Sequence, residues 1–406
     1  MKKILLAVYL LSAALAARAG GFQMNAQGQK ALGMGGAFTA YNRDASSAFF
    51  NPGAMVMLDS GRYLSAGTTL LMPKTVFRNT TTGQLSEQDD QSIFPSYFYA
   101  VLPVSNRLSA GLSVNTPFGW STRWTDDWEG RAINQETRLR TIYVQPTVSY
   151  RLTDNFSAGA GLVYGNGNLL VRRQLGEFNG NVKLNGSASG FGFNAGVFGK
   201  IQEELSFGIT YRSALNFKIN NGEATFSNIP AFHAGQFRDQ GFKTRLKMPS
   251  VLSVGLTNRV TNKVILSFEF NLTGWSSYDS LNFDFEHETT PDTKAGRRYE
   301  DAMAFRVGGE YTHSDKLTFR AGAYFDETPI RDEFISPDLP DGTRLGFTGG
   351  LSYKLTDRLE ADGTFLFEHV SERRAKANIT QTNISNIGGT YRTLVTGAGI
   401  GLNYKF

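Results

Sequence analysis

Spacings that would assemble acid–base, nucleophilic or metal chemistry are poor in this 406-residue chain. There is no cysteine, which excludes thiolate nucleophiles, cysteine-ligated metals and disulfide stapling. The four histidines, His233, His287, His313 and His369, show no HExxH spacing. "GSASG", Gly186 to Gly190, has the outer glycines of a nucleophile elbow but Ala188 at its centre, and no strand-to-helix setting surrounds it. His369 and Ser371 share a strand face, a placement common near any loop-proximal rim. "LGMGGA", Leu32 to Ala37, lacks the preceding strand and βαβ context of a dinucleotide site. No catalytic residue, metal or cofactor is therefore expected. The formal charge of +5 comes without a basic cluster interleaved with aromatics, so no nucleic acid partner is expected either. What stands out instead is apolar: Trp120, Trp124 and Trp128, three of the four tryptophans, recur at intervals of four, which on a helix makes one stripe.

The elements that position such groups follow from the chain's beginning and its rhythm. Lys2 and Lys3, an apolar run from Ile4, and "ARA" ending at Ala19 read as a secretory signal over 1–19, with the mature chain starting at Gly20. Beyond it no run of eighteen apolar residues occurs, which excludes helical membrane spans. With 44 Gly, 31 Phe and 16 Tyr at 41% hydrophobic overall, the composition fits alternating strands with aromatic belts.

Short polar turns recur: "VSNR" at 104–107, "LTDN" at 152–155, "QEE" at 202–204, "VTNK" at 260–263, "HSDK" at 313–316 and "LTDR" at 355–358. Between them lie longer polar stretches around 74–93, 119–137, 173–184, 227–243, 287–298, 328–341 and 378–388. Strict alternation of short and long connectors is the pattern of an outer-membrane barrel, and seven long loops mean fourteen strands. The strands are expected to start near Tyr63, Phe94, Leu108, Arg138, Phe156, Leu184, Leu205, Thr244, Val264, Tyr299, Leu317, Gly342, Leu359 and Gly388. In the last strand Leu394, Ala398, Ile400, Leu402, Tyr404 and Phe406 alternate with Gly397, Gly399, Gly401, Asn403 and Lys405, so the first row faces lipid. A soluble sandwich also alternates; the loop asymmetry and the terminal Phe406 favour the barrel.

The expected fold is therefore all-β: a transmembrane antiparallel β-barrel of 14 strands over 63–406, a multi-pass protein of the bacterial outer membrane. The Gly-rich, polar segment 20–62 is too long for a tail and is expected to fold inside the lumen as a plug. One strand breaks the pattern: in "LSVNTPFGW", Leu112 to Trp120, alternation meets Pro117, which has no N–H for a ladder, and then Gly119. Either Asn115, Thr116, Pro117, Phe118 and Gly119 open the wall, or the strand ends there and a loop begins.

The plug segment resembles the N-terminal hatch of the FadL/TodX family of outer-membrane channels for hydrophobic compounds. Gly21, Phe22 and Gln23 match the family's opening; Gly33, Gly35, Gly36 and Ala37 match its Gly-rich run; Asn51 and Pro52 match its Asn-Pro-Ala motif, with Gly53 in place of Ala and Ala54 next. The resemblance continues through "FPSYFYAVLPVSNRLSAGLSVNTPFGWSTRW" and "TVSYRLTDNFSAGAGLVYG" and, more loosely, to the end. It implies capture of a hydrophobic solute by outer loops, passage to a pocket against the hatch, and lateral release into the bilayer through an inward kink of strand three, with which Asn115 to Gly119 align. Long-chain fatty acids and aromatic hydrocarbons are the implied solutes. The tryptophan stripe and an opposing wall of Ile229, Phe232 and Phe237 would form the capture groove. Arg173, on the inward row of its strand, matches a basic residue that the family uses for binding. A second such position falls on Glu300 rather than Lys, which leaves fatty acids and other apolar solutes both open. Leu402, Tyr404 and Phe406 resemble the signal read by the barrel assembly machinery. The expected surroundings are outer-membrane lipid and lipopolysaccharide, with the chain a monomer. A general diffusion porin or a structural barrel is the rival reading.

Overall fold

The computed structural model describes residues 20–176, 178–376 and 387–406. The expected signal segment and most of the connector at 378–388 lie outside them. The strands are β1 (Tyr63–Asn79), β2 (Leu85–Glu87), β3 (Ser96–Ser105), β4 (Leu108–Asn115), β5 (Gly119–Arg123), β6 (Glu136–Arg151) and β7 (Phe156–Leu175). They continue as β8 (Gly180–Lys200), β9 (Leu205–Arg212), β10 (Leu215–Ser227), β11 (Gln240–Met248), β12 (Val251–Thr261), β13 (Val264–Thr273) and β14 (Ser280–Phe285). The last are β15 (Thr293–Gly296), β16 (Ala302–Thr312), β17 (Leu317–Asp326), β18 (Arg344–Lys354), β19 (Leu359–Ala375) and β20 (Gly389–Lys405).

Several of these are two parts of one wall strand: β5 continues β4, β10 continues β9, β11 leads into β12, β14 continues β13 and β15 leads into β16. Counted so, and with β2 set aside as a short connector strand folded back on β1, the wall is a closed antiparallel barrel of 14 strands. Closure comes from β1 and β20, paired from Tyr63 opposite Lys405 to Asn79 opposite Gly389. Every ladder group along that seam is thereby satisfied, as hydrocarbon demands. The alternation also has the sense that lipid requires: Leu162, Tyr164, Phe191 and Phe193 are exposed on the outer rows of β7 and β8, while Val163 and Asn194 between them are buried.

Six short turns join the strands at one end, where the sequence places them. At the other end the connectors hold more order than expected: β2, β5 and β15 lie within stretches read from sequence as loops. Trp120 and Thr122 are buried while Ser121 between them and Arg123 after them are not, so the segment after Pro117 alternates as a strand rather than a helix.

Residues 20–62 pack against inward-facing wall residues through α1 (Gln29–Gly33), α2 (Ser47–Phe50) and a 3-10 turn at Pro52–Met57. At several glycines the wall is bare of side chains where this segment touches it. A Cβ at Gly322 would fall on the backbone of Gly35, one at Gly308 on that of Met34, and one at Gly159 only 2.5 Å from the carbonyl carbon of Pro52. Polar groups lock the same contact: Glu269 accepts from the N–H groups of Phe38 and Thr39 at 2.8 and 2.7 Å, and Tyr41 donates to Glu310 at 2.6 Å. Lys30 meets Glu360 at 2.6 Å. Burial would lower its pKa, but Asp362, Glu360 and Asp44 outweigh this and hold the ammonium charged well above the usual lysine range.

Candidate functional site

The site begins at the interruption of the third wall strand. β4 pairs with β6 as far as Asn115 opposite Tyr143, and β5 resumes with Gly119 opposite Arg140, so the register slips by one across Thr116, Pro117 and Phe118. These residues pair with the N-terminal segment instead. Met24 donates its N–H to the Pro117 carbonyl at 2.9 Å, Gly119 donates to the Phe22 carbonyl at 2.9 Å, and the Gln27 side chain donates to the Thr116 carbonyl at 2.8 Å. Gln23 and Phe118 form the bridge between them. Pro117 is thus an acceptor only, the one backbone role proline can fill. On its far edge β5 pairs with no wall strand among the described residues; it is tied there at Gly119 by the Phe22 carbonyl and at its outer end by Asp89 N–H to the Arg123 carbonyl at 2.8 Å.

Two cavities meet at this break. One, of about 920 Å³, lies in the lumen and is lined by Leu71, Leu339, Leu366, Val370 and Val395 with Arg344 and Glu368. Its charges are internally satisfied: Arg344 pairs with Asp341 at 2.8 Å, and Glu368 accepts from Tyr324 at 2.5 Å. The other, of about 890 Å³, reaches the outer surface at Phe94 and Ile142, which are 59% and 51% exposed. Met24, Ile93, Gly119, Trp120 and Ser121 line both. A third cavity, of about 670 Å³, has a mixed lining, Arg212, Glu269, Asn271 and Arg306 beside Phe49, Phe50 and Phe118, and shares Gln23, Met24 and Asn25 with the lumenal one. The N-terminal strip therefore lies between the two. It is pinned at its start, where Gly21 N–H donates to Asp341 at 2.8 Å.

The tryptophans do not form a helical stripe. Trp120 lies in β5, and Trp124 and Trp128 follow in the connector and stack at 4.4 Å. All three are buried. The indole of Trp124 donates to the Pro337 carbonyl at 3.0 Å and that of Trp128 to the Asn134 carbonyl at 2.7 Å. Trp120 packs on Phe22 at 4.6 Å. Ile229 and Phe237 pack at the edge of the same apolar cluster. Phe232 does not: it is 80% exposed and lies tilted against neighbouring His233. Sequence reasoning missed Trp275, buried against Phe22 at 4.5 Å, and the loop residues Ile330, Ile335 and Leu339. Trp275 sits alone in a short 3-10 turn, where no periodicity flags it.

Arg173 faces a cavity of about 520 Å³ with Leu184, Leu281 and Phe283, and donates to the Thr293 hydroxyl at 3.1 Å. Arg297 beside it is bound in a two-pronged pair with Asp338 at 2.5 and 3.2 Å. Burial would raise the Asp338 pKa; Arg297 outweighs burial and holds it below the usual carboxylate range. Glu300 pairs with Arg331 at 2.7 Å. Asn51 caps the 3-10 turn, its amide donating to the Thr39 and Val197 carbonyls at 2.9 and 3.0 Å and its oxygen accepting from Gly53 at 3.0 Å. Pro52 and Ala54 are buried in that turn. A Cβ at Gly53 would stand 2.8 Å from the Gly196 carbonyl, which gives the Ala-to-Gly departure a steric reason. At the other terminus Leu402 and Phe406 are exposed on the outer row, with Tyr404 against Phe406 at 4.6 Å.

Residues 10–406 match the model of the family described as outer membrane protein transport protein (OMPP1/FadL/TodX). A long-chain fatty acid transport protein of Salmonella typhi is 26% identical over 405 residues, 90% of this chain and 91% of its own. Among solved structures, a Pseudomonas aeruginosa FadL homologue superposes with a TM-score of 0.86 at 20% identity, covering 95% of this chain and all of its own. The Ralstonia pickettii toluene transporter TbuX gives 0.72 at 19%, covering 93% and 98%.

Proposed function

The chain belongs to the outer membrane protein transport family (OMPP1/FadL/TodX) and is a multi-pass outer-membrane β-barrel, and on that premise we propose that it carries hydrophobic solutes from outside into the bilayer by a lateral route. The named relatives transport long-chain fatty acids or toluene, which sets the chemical range. The observation that carries the reading is the shared lining, from Met24 to Ser121, of the lumenal cavity and the cavity that opens at Phe94 and Ile142. In this reading 20–62 is the hatch, and Thr116 to Phe118, held inward by Phe22 to Met24, form the lateral gate. Lateral release suits the solute: each buried CH₂ is worth about 0.8 kcal/mol, so a path that stays apolar avoids the cost of periplasmic water. The passage is passive, downhill into hydrocarbon. Trp120, Trp124 and Trp128 with Ile229 and Phe237 wall the apolar cluster through which the solute descends.

Arg173 is the residue we assign to a carboxylate head. It lies among apolar side chains, and the structure gives it a hydroxyl partner while Asp338 is occupied by Arg297. Replacing Arg173 with Gln should lower oleate affinity tenfold or more, the order expected for a charge-assisted hydrogen bond of about 1.5–3 kcal/mol, and leave toluene unaffected. The reading as a whole is tested by uptake of labelled oleate and toluene in cells with and without the protein. Loss of uptake of at least one on deletion is expected; no dependence of either contradicts it, and large steady ion currents in planar bilayers point to a porin instead.

A further inference from the structure

The lipid-side mouth of the break carries charge, as other outward rows do, among them Lys218 on β10 and Lys243, Arg245 and Lys247 on β11; here the charge adjoins an opening in the wall. On β6 the outward row runs Tyr150, Val148, Pro146, Val144, Ile142, then Arg140 and Arg138. From Tyr150 to Ile142 is eight residues at about 3.4 Å each along a strand tilted by about 40°, or roughly 20 Å of height, most of the apolar band of a bacterial barrel. Arg140 therefore marks the depth at which hydrocarbon gives way to headgroups. Arg140 and Arg138 stand opposite Gly119 and Ser121, the residues that line both cavities, and they line the outer cavity themselves. Arg140 is exposed and makes no ion pair among the described residues. Arg138 reaches Glu136 only at 3.7 Å, and its Nε is buried with no hydrogen-bond partner.

We propose that Arg140, with Arg138 beside it, is a receptor for the carboxylate of an amphipathic acid at the lipid-side mouth of the lateral break. The proposal rests on the lateral-route reading above and adds a second, exit-side anion site to it. A long-chain acid leaving through the break must keep its head in the headgroup layer while its tail enters hydrocarbon. The break places a guanidinium at that boundary and apolar Phe94 and Ile142 beneath it. A planar, permanently charged donor holds a carboxylate through two parallel bonds without needing burial. A neutral solute has no use for the site, so Arg140 separates acids from hydrocarbons at release.

The test is uptake by liposomes carrying the full-length processed protein, comparing oleate with oleyl alcohol, which keeps the tail and lacks the charge. Arg140→Gln should reduce oleate flux severalfold relative to oleyl alcohol, and Arg140→Lys should restore part of it. Equal effects on both solutes, or none on either, would overturn the proposal; equal loss would mean that the arginine only shapes the wall. Resistance of the folded band to heating on a gel reports whether each variant forms the barrel. Failure of the wild-type protein to carry either solute would count against the transport reading itself, whereas unselective behaviour of Arg140→Gln in a working protein overturns this inference alone.

Discussion

At Gly322 and Gly308 the wall gives up side chains so that the N-terminal segment can lie backbone to backbone against it. Single methyl groups should therefore be felt in proportion to what they meet. Gly322→Ala, aimed at the Gly35 backbone, should destabilise by about 1–3 kcal/mol, whereas Gly349→Ala, with nothing within 4 Å of its Cβ, should be neutral. Heat-dependent mobility of the folded barrel reads both. The sequence showed these glycines as a composition, 44 in all, but not as a set of seats, because the partners are two to three hundred residues apart. Asn51, Pro52 and Gly53 were legible as a motif since capping is local, and only the distance to Gly196 explains why the third is glycine. The tryptophans show how a spacing can mislead. An interval of four satisfies one face of a helix, yet it is also an even number, and any even interval keeps residues on one face of a strand. Trp120 and Thr122 follow the second rule.

The connectors and the third strand belong to the scale of elements. Five of the six short turns were readable because Asn, Asp and Ser in them carry their own backbone preferences; the sixth, Gln202 to Glu204, shows only as a polar gap in the alternation. The slip of register at Pro117 was half-readable: loss of an N–H predicts an interrupted ladder, but not that Phe22 to Met24 supply the replacement partner. The connector from Glu327 to Thr343 leans over the lumen, held by Arg297 on Asp338 and by Trp124 and Thr122 donating to the Pro337 and Asp338 carbonyls. Asp338 has a lowered pKa in the folded chain, so its contribution is fully present above the unfolded value of about 4 and is lost as pH falls through the folded value. Limited proteolysis should find this connector protected from pH 7 down to about 4 and cut only in stronger acid. Asp338→Asn should expose it at neutral pH, since the buried Arg297 then loses its counter-charge.

In the whole molecule, as we propose, an apolar lumenal compartment communicates with lipid through the flank of an otherwise closed barrel. Closure itself follows from sequence parity and the alternation of short and long connectors, because both are set by the strand period and by the need to pair every backbone group. The shared lining of the two cavities comes from three distant segments, Met24, Ile93 and Gly119 to Ser121, and of these only the segment at Pro117 to Gly119 carries a local signal. The natural absence of cysteine makes the path addressable at a single point. A Ser121→Cys variant, assembled in liposomes, can be loaded with a bulky thiol-specific disulfide reagent and later cleared with reductant while oleate and toluene flux are followed. A tenfold or greater block on loading, reversed by reductant, is the predicted result; undiminished flux through fully loaded barrels would contradict it.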